Sequence, residues 1–441
     1  MYFIYSLLYT IAFLLMLPLF LLRRQKYASG FTERLGNYQP FIDDGRKVIW
    51  LHCVSVGEAN AARPLVDGLS KEFSGHRLIV STTTKSGQDL AKRIFAGKAD
   101  AVFYFPFDWK FSVTRALDHF KPSVVLLMET EIWPRFIHEA RRSGAKVAIV
   151  NGRLSHRSHG RYSKLAAFIS KVIANVDLAL MQGSSDANRL ISLGLAAARA
   201  KVTGNMKFDL ADDPRDAEIA AELSSRFALD DGRPIIVAAS THDPEERWVL
   251  DAFFSILAGD AAVKPRLVIA PRHPERFGDV AKLIRESRDD NACEYRRYKS
   301  ARRSSEPSED DGVADIILLD SIGELRALYQ LTQIAFVGGS LIPHGGQSVL
   351  EPAAAGNAVI TGPHTFNFND VINVFLGNNA IIQLPELRPE LFPDELFTQI
   401  TDLLEQPEER AELVRNARAV MESNRGATAR TTEEIRNLVS S

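Results

Sequence analysis

One stretch carries residue types and spacings suited to an anionic ligand: Phe336-Val337-Gly338-Gly339-Ser340-Leu341-Ile342-Pro343-His344-Gly345-Gly346-Gln347-Ser348-Val349-Leu350-Glu351-Pro352. Glycine lets the backbone come close to a ligand, and free N–H groups at a helix start attract negative charge. Ser348 and Glu351 stand three apart, the spacing of a capping box, which predicts a helix opening at Ser348. A carboxylate in that first turn can accept two hydrogen bonds from a ribose diol. Phosphate on the amides and ribose on Glu351 make a nucleotide site. An ordinary capped strand–helix turn fits the same letters; two glycine pairs together with Ser-x-x-Glu-Pro favour the nucleotide.

The elements that position this loop follow from apolar runs. Val48 to Val54 is the first clear strand, and Ser55-Val56-Gly57-Glu58 ends it before a helix. Further strands are expected at 78–82, 101–106, 123–128, 146–150, 178–182 and 201–202. Glu129-Thr130-Glu131-Ile132-Trp133-Pro134 follows the third of these, and Asn151-Gly152-Arg153 the fourth. The pattern restarts after Gly204-Asn205-Met206-Lys207-Phe208-Asp209, with strands at 234–240, 266–270, 316–319, 334–337 and 358–360. Apolar strands alternating with helices mean parallel sheets covered on both faces. Ligands in such sheets bind beyond the carboxyl ends of the strands. Glu58, Glu129, Asn151, Lys207, Ser240, Arg272 and Gly338 all stand there. Residues 285–315 are charged and Ser-rich and read as a mobile surface loop.

At 441 residues the chain exceeds one compact core. A hydrophobic content of 46% and a charged content of 24% are ordinary for a globular protein. The net charge of −2 gives no bulk drive toward nucleic acid, and no such partner is expected. Cys53 and Cys293 stand outside any metal or redox motif and read as reduced thiols in a cytosolic compartment. No His/Cys/Asp/Glu cluster has metal-ligand spacing.

Met1 to Leu22 contains no charged side chain, and Arg23, Arg24 and Lys26 follow. As a helix it would reach about 33 Å at ~1.5 Å per residue, enough to cross a bilayer core. The basic residues come after the apolar run, so it reads as a single-pass anchor with the rest of the chain cytoplasmic, rather than a signal peptide. The expected division is therefore an anchor at 1–22, one Rossmann-like domain at 23–205 and a second at 206–441.

Five motifs in this order resemble the Kdo transferases of lipopolysaccharide synthesis, which add 3-deoxy-D-manno-octulosonic acid to lipid A. They are Ser55–Glu58, Glu129–Pro134, Gly204–Asp209, Ala270-Pro271-Arg272-His273-Pro274 and Gly345–Pro352. The resemblance implies a GT-B fold, two Rossmann-like domains facing across a cleft. It implies CMP-Kdo as donor, a lipid A precursor (lipid IVA) as acceptor, inversion at the anomeric carbon, no essential metal and no cofactor. It also implies an inner-membrane location. The family's catalytic base falls on Glu58, and its transition-state stabilisers on Glu129 and Lys207. Glu131 would share Glu129's face in an extended segment and ranks second. The family's CMP contacts fall on Pro271 and Arg272, on Ile322, Gly323 and Glu324, and on Ser348, Val349, Leu350 and Glu351. The family usually has His-Asn where this chain has Gln347-Ser348; both replacements can hydrogen-bond, and Ser is a good N-cap. His273 fits a loop cap as well as a ligand contact. Arg23, Arg24, Lys26 and Arg34 fit anionic head groups and simple topology signals equally.

The rival readings are a membrane-associated GT-B lipid glycosyltransferase with another donor such as a UDP-sugar, a sugar-nucleotide epimerase, and a tethered nucleotide-binding regulator. The apolar N-terminus argues against the epimerase, and the presence of Glu58 against the regulator.

Overall fold

The structure, a computed structural model, describes residues 1–22, 29–210, 213–259, 264–290 and 298–440. It divides into two compact units: residues 1–211 together with 424–441, and residues 212–423.

The first unit is built on seven strands: β1 Lys47–Cys53, β2 His76–Thr82, β3 Ala101–Tyr104, β4 Pro122–Met128, β5 Lys146–Gly152, β6 Leu178–Met181 and β7 Ala200–Val202. All pairings are parallel, in the order β3-β2-β1-β4-β5-β6-β7. Successive side chains of a strand point to opposite faces, so an unbroken apolar run fills two cores at once. Trp50, Val125, Leu127 and Ile149 enter one core, while Ile49, Leu51, Leu126 and Val150 enter the other. Strand order reverses at β1 and β4, and the crevice at that switch point is where a ligand is expected in such a sheet.

The second unit repeats the plan: β8 Ile235–Thr241, β9 Arg266–Pro271, β10 Ser300–Arg302, β11 Ile316–Leu318, β12 Ile334–Val337, β13 Ala358–Thr361 and β14 Ile382–Gln383. They lie parallel in the order β10-β11-β9-β8-β12-β13-β14, with the switch point between β8 and β12. Ile236, Ile269 and Phe336 fill one side, and Val237, Val268 and Ala335 the other.

Three expectations change. Most of residues 285–315 are ordered rather than a mobile loop. Residues up to Asp290 end a helix, residues 291–297 lie outside the described residues, and Ser300–Arg302 is strand β10. Charge organises this segment. Arg226 donates to the carbonyls of Arg302, Arg303 and Ser305, and Arg303 makes a forked pair with Glu324 at 2.9 and 3.0 Å. Second, the last helix, Ala427–Ser440, packs on the first unit, although the sequence reading puts all of 206–441 in the second domain. Ala427 and Ile435 are fully buried in the first unit's core, and the Asp209 carboxylate accepts from the N–H groups of Gly426 and Thr428 at its start. Third, among the described residues no helix is long and apolar enough to cross a membrane. The uncharged helix Tyr2–Leu22 lies against the first unit, its polar side chains bonded to that unit's Asp108, Trp109 and Arg135.

Ile435→Ala empties a core position and should cost about 2–5 kcal/mol. Hydrogen exchange should accelerate throughout the first unit and leave the second unchanged. Equal effects in both units would contradict this packing.

Candidate active site

The loop after β1 begins with a buried carboxylate. Ser55 caps the short helix Val56–Ala61, and its Oγ accepts from the Glu58 N–H at 3.4 Å. The Glu58 side chain folds back, so that Oε2 accepts from the Val54 N–H at 2.7 Å and Oε1 from the Ser55 hydroxyl at 3.4 Å. The same Ser-x-x-Glu spacing read at Ser348 thus forms a variant of the capping box here, with the carboxylate on the N–H before the N-cap rather than on that of Ser55 itself. Glu58 is only 8% exposed. Burial, then the nearby charge of Glu129, push its carboxyl up to about 8.

Strand β4 delivers the second carboxylate across the switch point. Glu129 takes a left-handed backbone with φ 52°, and its N–H donates to the Val150 carbonyl at 2.9 Å. Such a conformation costs a non-glycine residue of order 1–3 kcal/mol and concentrates at functional sites. The Lys207 ammonium lies 3.1 Å from Glu129 Oε1. Lys207 is set by two asparagines. Asn151 Oδ1 accepts from the Met206 N–H, and Asn205 Oδ1 from the Lys207 N–H, each at 3.0 Å. Asn151 is itself left-handed at the end of β5. Glu131 is pushed up by burial, then by Glu129. The first unit therefore brings together Glu58, Glu129, Glu131 and Lys207. One carboxyl is raised by burial, and one carboxylate beside it is paired with an ammonium, the kind of divided environment that separates acid from base.

The second unit holds the expected nucleotide residues at its own strand ends. Arg272 leaves β9 with its N–H on the Thr241 carbonyl at 3.0 Å and its side chain exposed. Ile322 is exposed, Gly323 turns the chain at φ 92°, and the Glu324 side chain is taken by Arg303. The helix at the glycine stretch runs Leu350–Ala355 with Val349 as its N-cap, one residue later than expected. Ser348 Oγ accepts from the Leu350 N–H at 3.4 Å, and Glu351 stands in the first turn.

The glycine loop also differs from the expectation of free amides. Glu245, fully buried, accepts from the N–H groups of Gly339 and His242 on Oε2 at 2.7 and 3.0 Å. Its Oε1 accepts from Leu341 and Ser340 at 2.9 and 3.0 Å. These amides are already taken by the Glu245 carboxyl group. Gly338 is required sterically, because a Cβ there would stand 2.7 Å from Thr241 Cα. Sequence reasoning missed Glu245, and also a cluster of imidazoles. The His242 ring lies 4.4 Å from that of His344 and 5.3 Å from that of His273. Burial, then those two neighbours, pull His242 down to about 4. The available signal was position: Ser240-Thr241-His242 ends the strand at the switch point. Among the described residues no group of three or more His, Cys, Asp and Glu could hold a metal ion.

Comparison with known proteins meets this geometry. Residues 29–210 match the family described as 3-Deoxy-D-manno-octulosonic-acid transferase (kdotransferase). The 3-deoxy-D-manno-octulosonic acid transferase of Haemophilus influenzae is 33% identical over 407 residues, covering 92% of this chain and 90% of that protein. A glycosyltransferase of Rickettsia africae ESF-5 has a similar structure, with a TM-score of 0.55 at 13% identity over 90% of this chain and 99% of that one. The UDP-GlcNAc 2-epimerase of Neisseria meningitidis, bound to UDP-GlcNAc, gives 0.52 at 14% identity over 85% and 98%. At such identities the structural likeness reaches the fold alone, two parallel-sheet α/β domains of the GT-B kind. The Haemophilus relative, alike over nearly its whole length, reaches further: this chain belongs to the 3-deoxy-D-manno-octulosonic acid transferases, a family of glycosyltransferases.

Proposed function

We propose that this chain transfers Kdo from CMP-Kdo to a lipid A precursor, with inversion and without a metal. The observation that carries the mechanism is the Glu58 carboxyl held near 8 beside the Glu129–Lys207 pair. A sugar hydroxyl has a high pKa and needs a base as it attacks. In this reading the acceptor oxygen bonds to the anomeric carbon, the bond from that carbon to the CMP phosphate oxygen breaks, and the hydroxyl proton passes to Glu58. Glu129 and Lys207 are fixed in place before the reaction and act on the charge that develops in the transition state. CMP is taken by Pro271 and Arg272, by the Ile322-Gly323-Glu324 backbone, and by Ser348, Val349, Leu350 and Glu351. The acceptor is a lipid, so we place the enzyme at the cytoplasmic face of the inner membrane, attached through its first helix.

Incubation of the full chain with CMP-Kdo and lipid IVA should yield products heavier by whole Kdo residues in mass spectrometry. Glu58→Gln should lower turnover by ~10²–10⁴-fold. CMP affinity measured by calorimetry should not change. Near-full turnover in that variant would remove Glu58 as the base. Glu351→Ala and Arg272→Ala should each weaken CMP binding, by about 1.5–3 kcal/mol per lost charged hydrogen bond. Unchanged affinity in both would remove this nucleotide placement.

The raised carboxyl gives two pH effects of known sign. The base must be ionised, so kcat/KM should rise with pH and level off above about 8. Stability should move the other way. Below the ordinary value of 4.5 folded and unfolded chains both hold the Glu58 proton; between 4.5 and about 8 only the folded chain holds it, so stability falls with rising pH across that window. Glu58→Gln cannot ionise. Denaturant titration should therefore find it more stable than the parent at pH 9 and equal to it near pH 4; equal stability at both would mean that Glu58 is not raised.

A further inference from the structure

The helix Tyr2–Leu22 is built inside out for a water-facing helix. Its inward stripe is Tyr2, Tyr5, Ser6, Tyr9, Thr10 and Phe13, at the i, i+3, i+4, i+7 spacing of one helix face. These are all of its polar residues together with Phe13, and they contact the rest of the first unit. Tyr5 donates to the Asp108 carboxylate at 2.7 Å, and Trp109 Nε1 donates to Thr10 Oγ1 at 2.9 Å. Arg135 donates to the Tyr2 carbonyl at 2.9 Å and to Ser6 Oγ at 3.1 Å. The Phe13 ring meets that of Trp109 at 4.8 Å. The outward stripe is Phe3, Leu7, Leu8, Ile11, Leu14 and Leu15, with Phe3 and Leu15 exposed by 78% and 77%. A surface helix in water turns its apolar stripe inward and its polar face out. The arrangement is favourable only where an apolar medium or surface covers the outward stripe.

We propose that this helix lies in the plane of one lipid leaflet, sideways on, and does not span the bilayer. This deepens the membrane attachment proposed above and rests on it. The docked part, Tyr2 to Phe13, already uses about 17 Å of helix at ~1.5 Å per residue. The nine residues from Leu14 to Leu22 add about 13 Å, against a hydrocarbon core of about 30 Å. Spanning would require the docked part to leave, stranding Asp108, which is fully buried, and Arg135, which is 8% exposed, without those partners. The lipid-facing surface continues on the body of the unit. Phe31 and Phe111 are exposed and join the Phe13 end through Phe107 and Trp109. Lys110 and Arg115, both exposed, flank Phe111, where cations meet anionic head groups.

The test uses the full chain with Cys293→Ser and a single cysteine in turn from Phe3→Cys, Leu8→Cys and Leu15→Cys; Cys53 is buried. Each is labelled with a fluorophore and bound to vesicles of phosphatidylethanolamine and phosphatidylglycerol that carry brominated lipids of known depth. Equal, shallow quenching depths at all three positions support the in-plane helix. Depths that run through the bilayer midplane would overturn it in favour of a spanning helix. No quenching at any position would overturn it in favour of a second copy of the chain on this face. In addition, Leu7→Glu with Leu14→Glu should lower the vesicle-bound fraction by roughly tenfold or more. That variant should keep its transfer rate on detergent-dispersed acceptor. The depth measurement needs no catalysis, so a chain that lies in the leaflet yet transfers no Kdo would refute the proposed function and not this one.

Discussion

Each sheet closes its switch point with a glutamate early in the segment that follows its first strand. After β1 it is Glu58, and after β8 it is Glu245. Both carboxylates reach back to main-chain N–H groups that the ladder leaves unpaired, a need that any parallel sheet has where its strands stop. They differ in how many they collect. Glu245 takes four amides, two on each oxygen, and so ties the loop after β12 to the end of β8. A carboxylate has about four lone-pair sites, so none remains for anything else. Glu58 takes one amide and a serine hydroxyl. Glu58 is the less satisfied of the two, although burial raises both carboxyls. The saturated one is architectural.

Everything around the two carboxylates is arranged by the same constraint. Strands buried on both faces can place polar groups only where they end. Glu129, Asn151 and Ser240 each stand at or beside such an end, and each is held left-handed. Asparagine accepts that conformation readily; glutamate and serine do so less well. The Glu129 carboxylate has a use for the geometry, since it meets Lys207 there.

The strands were legible because burial on both faces writes itself as a run of Val, Ile, Leu and Phe. The roles of single charges were less legible. Arg302, Arg303 and the acidic residues after them look like a solvated tract, yet Arg226, Asp320 and Glu324 hold them. Pairing between residues far apart in sequence has no local signature. The same limit hid the destination of the last helix, whose amphipathic period shows that it packs but not on what. Ser55 and Ser348 begin identical four-residue spacings, and only the first forms the reciprocal cap, because a serine can cap only where the backbone already turns. The first helix carried a readable signal of another kind. Tyr5, Ser6, Tyr9 and Thr10 fall on one face of an otherwise apolar run, and overall hydropathy averages that away.

The return of the last helix to the first unit also orders the protein's synthesis. Residues 212–423 form a complete unit inserted within the other. The ribosome therefore finishes the inserted unit before it has made Ala427 and Ile435, which the first unit buries. At about 5–20 residues per second, the first unit waits roughly 10–40 s between Ala211 and the residues that complete its core. Through that interval the helix Arg63–Glu72 and the turn Met206–Phe208, against which the last helix packs, belong to an unfinished core, so the part of the chain made first is the part that folds last.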